Sequence, residues 1–416
     1  MRTRPLLSIC VPSRNRQFYF KDTILYLVKS LRTDVEFVFS DNSDDASIMI
    51  DFMKELDGDP RIVFLPSADR VLSMQDNWER TMEATSGDWI CIVGDDDMVD
   101  PEAAELIRRT LALKPHTEAI AWSRPCYIWP KPGRRPLSVI VELGRDVTDV
   151  RRSTMWERYY LWGTTSAGIP QCPFSIYHAA ISRDLMLRIR KRFGGRYFEY
   201  PAPDLEMTLK ILTYAKHLVY SQRPYSVAGI CPESNGSSFG DIKRIKEIQQ
   251  NFARDLGRDM EKDDHFADFP FPSYLGNCII IAQAQIWFKR KYNIEFSGWE
   301  ENFVKACALG CEYLKTEEDY DIAIADYREG FARWRGGAYA HLFAPRPYAP
   351  PADVPKYTGV IHHTNVSLLY LDEEIGGART LGTFYDHMLQ IIPTIDELDF
   401  SNVGALDREE RQKASA

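Results

Sequence analysis

The 416-residue chain lacks the marks of several large protein classes. Its 8 cysteines include no Cys-x-x-Cys pair, which argues against a zinc ribbon and against a dithiol redox centre. They are spread thinly over a long chain, and Cys10, Cys91 and Cys278 sit in apolar runs. That distribution reads as reduced, buried thiols of a cytoplasmic protein rather than a disulfide framework. Cys307 and Cys311 stand one helical turn apart with no second pair at zinc spacing, and read as core. Long apolar runs are missing too. The stretch from Cys278 to Phe288 is interrupted by Gln283 and Gln285 and falls short of the about 20 residues a spanning helix needs. The opening Met1-Arg-Thr-Arg-Pro-Leu-Leu-Ser8 lacks the apolar core of a signal peptide. The expectation is a soluble protein without a transmembrane segment, any membrane contact being peripheral, at the inner face. There is no basic excess: 60 Asp+Glu against 51 Lys+Arg gives a net charge of −9, which speaks against nucleic acid as partner. No repeat or heptad array is evident.

What is there is globular, since 44% of the residues are hydrophobic, enough to build a large core. At about 150 residues per domain the length allows two units. From Leu6 to Ala121 short β-rich runs alternate with amphipathic helical stretches. Strands are expected at Leu6–Val11, Val35–Phe39, Arg61–Leu65 and Trp89–Val93, the first and third stopped by Pro12 and Pro66. Between them Phe20, Ile24, Leu27, Val28 and Leu31, and later Met74, Trp78 and Met82, recur at helical spacing. This alternation implies an α/β fold, a doubly wound and mainly parallel sheet. Such sheets bind ligands beyond the carboxyl ends of their strands. Three polar clusters fall there: Ser13-Arg-Asn-Arg16, Asp41-Asn-Ser-Asp-Asp45 and Asp95-Asp-Asp97.

The stretch from Trp122 to Tyr160 reads as irregular, with a surface loop at Lys131–Pro136. A strand is expected at Phe174–His178, helices from Arg183 and Asp204, and a flexible Gly/Ser loop at Ser234–Gly240 that could act as a lid. Beyond it the chain reads as mostly helical to Trp334, then as an extended Pro-rich segment over residues 343–355, with a frayed end from Asp407. The expected division is residues 1–240 and a helical accessory region, 241–416, open to self-association. Trp156, Tyr159, Tyr160 and Trp162 lie among arginines but at a spacing that favours helix core over a sugar-stacking surface.

Adjacent aspartates at a strand end raise one another's pKa unless a cation compensates. Mg²⁺ commonly takes one or two carboxylates plus substrate phosphates, so Asp95–Asp97 suit a metal–diphosphate site. Asp41 could meet a ribose hydroxyl or a base edge, and Arg14 and Arg16 phosphates or the base. A lone His178 reads as a packed residue, and His362-His363 as having no metal role.

Pro12-Ser-Arg-Asn-Arg16, Asp41-Asn-Ser-Asp-Asp45 and Gly87-Asp-Trp-Ile-Cys-Ile-Val-Gly-Asp-Asp-Asp97, in this order and before Pro101, resemble the motifs of family 2 glycosyltransferases of the GT-A fold. The resemblance covers roughly Leu6 to Gly240. It implies transfer of a sugar from a UDP-, GDP- or dTDP-linked donor, with inversion and with Mg²⁺ or Mn²⁺ on the diphosphate. A carbohydrate or lipid-linked glycan acceptor would follow, in the making of a cell-surface polysaccharide or glycoconjugate. By the same resemblance Pro12 and Arg14 contact the nucleotide and Asp41 the donor base. Asp95 and Asp96 belong to the nucleotide-sugar site, and Asp96, with Asp97 beside it, to the metal site. Tyr200-Pro-Ala-Pro-Asp-Leu-Glu206 resembles the family's acidic motif, making Asp204 the general base and Glu206 the runner-up. Two departures stand out: Asp-Asn-Ser replaces the usual Asp-Asp-Gly-Ser, and Gly94 stands where the first aspartate of the metal motif often lies. The rival readings are a nucleotidyltransferase on a similar sheet and a non-catalytic sugar- or partner-binding module.

Overall fold

Residues 4–352, 355–364 and 366–415 are described in a computed structural model, the side chains at 410, 411 and 413–415 excepted. Met1–Thr3 of the N-terminal reading, residues 353–354 of the Pro-rich segment and Ala416 of the expected frayed end lie outside them.

The four expected strands form at Leu7–Ser13, Val35–Asp41, Ile62–Leu65 and Trp89–Ile92. They run parallel in the order 62–65, 35–41, 7–13, 89–92 within a nine-stranded sheet. The sheet continues through Ala179–Ser182, Ala119–Trp122, Leu218–Ser221, Asp146–Val150 and Asp399–Asn402. Ala179–Ser182 is antiparallel to both its neighbours, whereas Ala119–Trp122 and Leu218–Ser221 run parallel to each other. The chain therefore winds outward from Leu7–Ser13 in both directions. The crevice between that strand and Trp89–Ile92 is the topological switch point where open α/β sheets bind ligands.

Alternation along the strands sorts the core into two faces. Leu7, Ile9 and Val11 pack with Phe20, Ile24 and Leu27 of the Gln17–Val28 helix on one side. Cys10, Val38, Ile90 and Ile92 face the other side, with Trp78 and Met82 of the Met74–Glu83 helix. Ser73 caps that helix by accepting the Asp76 N–H at 3.2 Å.

The Trp122–Tyr160 stretch is more regular than its composition suggests. It holds strands Cys126–Ile128, Ser138–Glu142 and Asp146–Val150 and the helix Arg152–Tyr160, whose Tyr159 and Tyr160 are buried, as the core reading expected. The strand expected at Phe174–His178 begins only at Ala179, because His178 adopts a left-handed φ of 63°. Six of the cysteines are buried, Cys172 is half-buried and Cys126 exposed, and all are free thiols.

The region after Gly240 is mostly helical to Leu342 and then has no regular secondary structure through Phe343–Pro351. Its end returns to the first half: Ser367–Asp372 pairs with Ser138–Glu142, and Asp399–Asn402 adds the ninth strand beside Asp146–Val150. The residues from Ala405 to Ser415 form a helix rather than a frayed tail. Among the described residues no helix is long and apolar enough to cross a membrane.

Candidate active site

Ser13 ends its strand directly opposite Asp41 in the parallel register, and Asp95–Asp97 follow the neighbouring Trp89–Ile92 strand. The three expected clusters thus meet at one end of the sheet. Asp95, Asp96 and Asp97 are each at most 3% exposed, so each charge needs a partner inside the protein.

Those partners divide the cluster. Arg16 reaches Asp95 Oδ1 at 2.6 Å and Asp96 Oδ1 at 3.2 Å. The Ser13 hydroxyl donates to Asp95 Oδ2 at 2.5 Å, and the Cys231 N–H to Asp96 Oδ2 at 3.1 Å. Burial pushes the Asp95 carboxyl up to about 7, against the pull of Arg16. Burial likewise raises Asp96.

Asp97, expected beside Asp96 as a metal ligand, is instead the anchor of the loop. Its Oδ2 accepts from the Gly94 N–H at 2.6 Å, from Tyr177 Oη and from His178 Nε2 at 3.0 Å, and its Oδ1 from the Gly229 N–H at 2.7 Å. Burial opposes its charge, but His178, Tyr177 and Gly229 outweigh it and hold the carboxyl at about 2. Three donors crowd Oδ2 and a fourth reaches Oδ1. The Gly94 departure follows from this packing, since a Cβ there would stand 2.9 Å from Asp97 Oδ2. At Gly229 a Cβ would fall 1.7 Å from the Asp96 carbonyl oxygen, so only glycine lets the strand approach the acidic turn.

Asp41 is fully buried, with Oδ1 taken by the Ser43 hydroxyl at 2.6 Å and Oδ2 by Ser67 at 3.0 Å. It braces the loop, and Asn42 faces the adjoining cleft. This cleft, about 360 Å³, is walled by Pro12, Arg14, Arg16, Asn42, Trp78 and Asp255. The Ile242–Leu256 helix lies along it, tied by the Arg14–Asp255 ion pair, while Arg14 also approaches Asp44 at 3.6 Å. Ser234–Gly240 contains a short 3-10 turn, Asn235–Ser238, leading into this helix.

Asp204 lies in the first turn of the Pro203–Tyr214 helix, with Ala202 in the N-cap position, so it does not cap the helix. Its side chain is half-buried, and desolvation raises its pKa from the ordinary carboxylate value. Arg124, exposed at the end of the Ala119–Trp122 strand, exerts its field on Asp204, Tyr177 and His178 alike, which sets these groups in one neighbourhood. Glu206, the runner-up base, is corrected by its surroundings. It is 0% exposed, pairs with equally buried Lys210 at 2.7 Å and accepts the N–H groups of Glu199 and Tyr200 at 2.7 and 2.8 Å. Its work is to hold the loop that delivers Asp204.

Asp95 and Asp96 fit a divalent cation. They are buried oxygen donors, and Asp95 Oδ1 makes no hydrogen bond despite full burial, meeting only the Arg16 guanidinium. Sequence reasoning passed over Ser13, Tyr177 and Arg124, whose residue types are too common to flag. Arg16, expected to meet a phosphate or the base, instead faces the two carboxylates.

Buried carboxylates thus stand beside a cleft at the switch point of a mainly parallel α/β sheet. Residues 8–183 match the model of Glycosyl transferase family 2. Over that segment, somewhat less than half its length, the chain is similar to glycosyltransferases of this family. Among solved structures it is similar to S. aureus TarS 1-349 in complex with UDP-GlcNAc, at 14% identity, with 81% of this chain and 90% of that chain covered and a TM-score of 0.43. S. aureus TarS without that truncation gives 14% identity, 81% and 54% coverage and a TM-score of 0.40. No curated protein matches the chain.

Proposed function

We propose that the protein transfers a sugar from a nucleoside diphosphate sugar to an acceptor hydroxyl with inversion, in the assembly of a cell-surface polysaccharide or glycoconjugate. The observation that carries this reading is the pairing of buried Asp95 and Asp96 with a single arginine, beside the cleft at the sheet's switch point. The donor nucleotide lies against Pro12, Arg14 and Asn42, with Asp41 bracing that loop through Ser43 and Ser67. Asp96, with Asp95, would hold Mg²⁺ or Mn²⁺, which supplies charge neutralisation on the departing diphosphate.

The acceptor hydroxyl gives its proton to Asp204 as its oxygen bonds to the anomeric carbon. The bond from that carbon to the diphosphate oxygen breaks on the opposite face, and its electron pair leaves with the diphosphate. Partial burial of Asp204, which raises its proton affinity, suits a general base. A cavity of about 380 Å³, walled by Tyr200, Pro201, Ala202, Gln249 and Tyr274, adjoins the loop that carries Asp204 and suits a carbohydrate or lipid-linked glycan acceptor. Residues 1–240 form the catalytic part in this reading and 241–416 an accessory part that roofs both hollows. The eight free thiols support a cytoplasmic site of action.

The test is calorimetry with UDP, GDP, dTDP and CMP, with and without Mn²⁺, on the wild type and Asp96→Asn. One nucleoside diphosphate should bind in a cation-dependent way, and the variant should lose the dependence. Unchanged cation dependence in Asp96→Asn would overturn the assignment. Retention of the donor's anomeric configuration in the product would overturn inversion.

A further inference from the structure

At the end of the sheet opposite the acidic cluster, three chain segments bring metal-ligating atoms together. His116 follows the Ala103–Leu113 helix, His217 immediately precedes the Leu218–Ser221 strand, and Asp407 lies in the C-terminal Ala405–Ser415 helix. One ligand atom from each falls within 4.8 Å of the others. His116 Nε2 is 2.9 Å from Asp407 Oδ2, His217 Nδ1 is 3.9 Å from Asp407 Oδ1, and the two rings meet edge to face at 4.2 Å.

We propose that His116, His217 and Asp407 form a second metal site, for Zn²⁺ or a similar borderline transition-metal ion, that pins the C-terminal helix to the sheet. Two imidazoles and a carboxylate are the donor set such ions take, with a fourth position left to water. The separations of 2.9 and 3.9 Å, to the two oxygens of the carboxylate, bracket the spacing of ligands about 2 Å from one tetrahedral ion.

The carboxylate is already oriented for the task. Lys114, 2% exposed, holds Asp407 Oδ1 at 3.1 Å and Asp149 at 3.2 Å, leaving Oδ2 turned toward His116. Asp149 in turn accepts the Leu406 N–H at 3.1 Å, so the same network fixes the start of the helix. Anchoring of this kind is what outer partners give a ligating carboxylate. The side chains of His116, His217 and Asp407 are 53%, 31% and 17% exposed, open enough for an ion to enter.

The site shares no residue with the transferase centre, so the two are separable. The experiment titrates the full chain, stripped with a chelator, with Zn²⁺ by calorimetry and with Co²⁺ by visible absorption, alongside His116→Gln, His217→Gln and Asp96→Asn. The wild type should show a four-coordinate Co²⁺ spectrum and a Zn²⁺-dependent rise in Tm. Both histidine variants should bind about tenfold or more weakly and keep their transferase turnover, and Asp96→Asn should retain the spectrum. His116→Gln removes a half-exposed ring and decides the matter if His217→Gln does not fold. Equal affinity in wild type and His116→Gln, or no Zn²⁺ binding by the wild type, would overturn the proposal.

Discussion

His178 Nε2 lies 3.0 Å from Asp97 Oδ2, at the end of a relay that begins at an indole. Trp122 Nε1 can only donate, and it donates to Ser226 Oγ at 2.8 Å. Ser226 Oγ is 2.9 Å from His178 Nδ1. Burial lowers the His178 pKa, with Asp97 opposing, so the ring is neutral and carries one proton. An ionised Asp97 accepts only, so that proton sits on Nε2 and Ser226 donates to Nδ1. The relay therefore ends by holding the carboxylate that shapes the acidic turn.

Replacing His178 by Phe removes one donor to Asp97 and strands the Ser226 hydroxyl. Leaving buried polar groups unpaired costs about 1–3 kcal/mol each. The variant should lose stability in that range on urea denaturation and should bind the nucleotide more weakly, because the turn carrying Asp95 and Asp96 loosens. Unchanged stability would mean that the relay does not support the turn.

Arg16 is the internal counter-charge of Asp95 and Asp96, and a divalent cation would take over that role. Arg16→Met leaves two buried carboxylates without it. Breaking a buried pair costs about 3–5 kcal/mol, and the low end applies here because the Arg16 side chain is 23% exposed. Without metal the variant should melt well below the wild type, and Mn²⁺ should raise its Tm more than that of the wild type. An equal rise in both proteins would show that Arg16 and the cation do not share the carboxylates.

Asp204→Asn should keep nucleotide binding and lower kcat by about 10²–10⁴, the usual worth of general base catalysis. Because burial raises the Asp204 pKa, its proton leaves at higher pH than in an ordinary carboxyl group. The base works only when ionised, so kcat/KM should rise with pH through a midpoint above the unperturbed value of about 3.9. The stability sign is opposite. The folded state binds this proton more tightly than the unfolded chain, so the contribution of Asp204 to stability falls as pH rises from the unfolded toward the folded pKa. In Asp204→Asn the acid limb should move or vanish. A normal turnover in the folded variant would remove Asp204 from the mechanism.

The strands around the site were legible because each couples an apolar run to a proline or a polar stop, as at Leu65-Pro66, although the first strand does not stop at Pro12 but continues to Ser13, with Pro12 in register with Ser40. The acidic cluster was legible as a cluster, but the division of labour inside it was not. Asp95, Asp96 and Asp97 are alike in sequence and differ only in which distant groups reach them, Arg16 for two and Tyr177, His178 and Gly229 for the third. Glu206 failed as a base for a similar reason. Its i, i+4 partner Lys210 was visible, but the full burial that makes the pair structural comes from tertiary packing. The ninth strand, Asp399–Asn402, was hidden because a short polar edge strand has no hydrophobic alternation to announce it.

Asp255 lies on the helix that runs along the cleft beside Arg14. Arg14 is engaged by Asp255 and approached by Asp44, both anionic, whereas a diphosphate would offer it more charge and better hydrogen-bond acceptors. Of the Ile242–Leu256 helix only Ile242 and Ile245, in its first turn, are fully buried, and the ion pair ties its far end to the cleft. If Arg14 must leave Asp255 to meet the donor, Asp255→Asn removes a competitor, and nucleotide affinity should rise by about threefold to tenfold, equivalent to roughly 0.7–1.4 kcal/mol. Calorimetry measures this directly, and the rise should shrink with added salt in the wild-type comparison, because a half-exposed pair is screened. Weaker binding in Asp255→Asn would reverse the assignment: the ion pair would then persist in the complex, and the helix would be a clamp rather than a competitor.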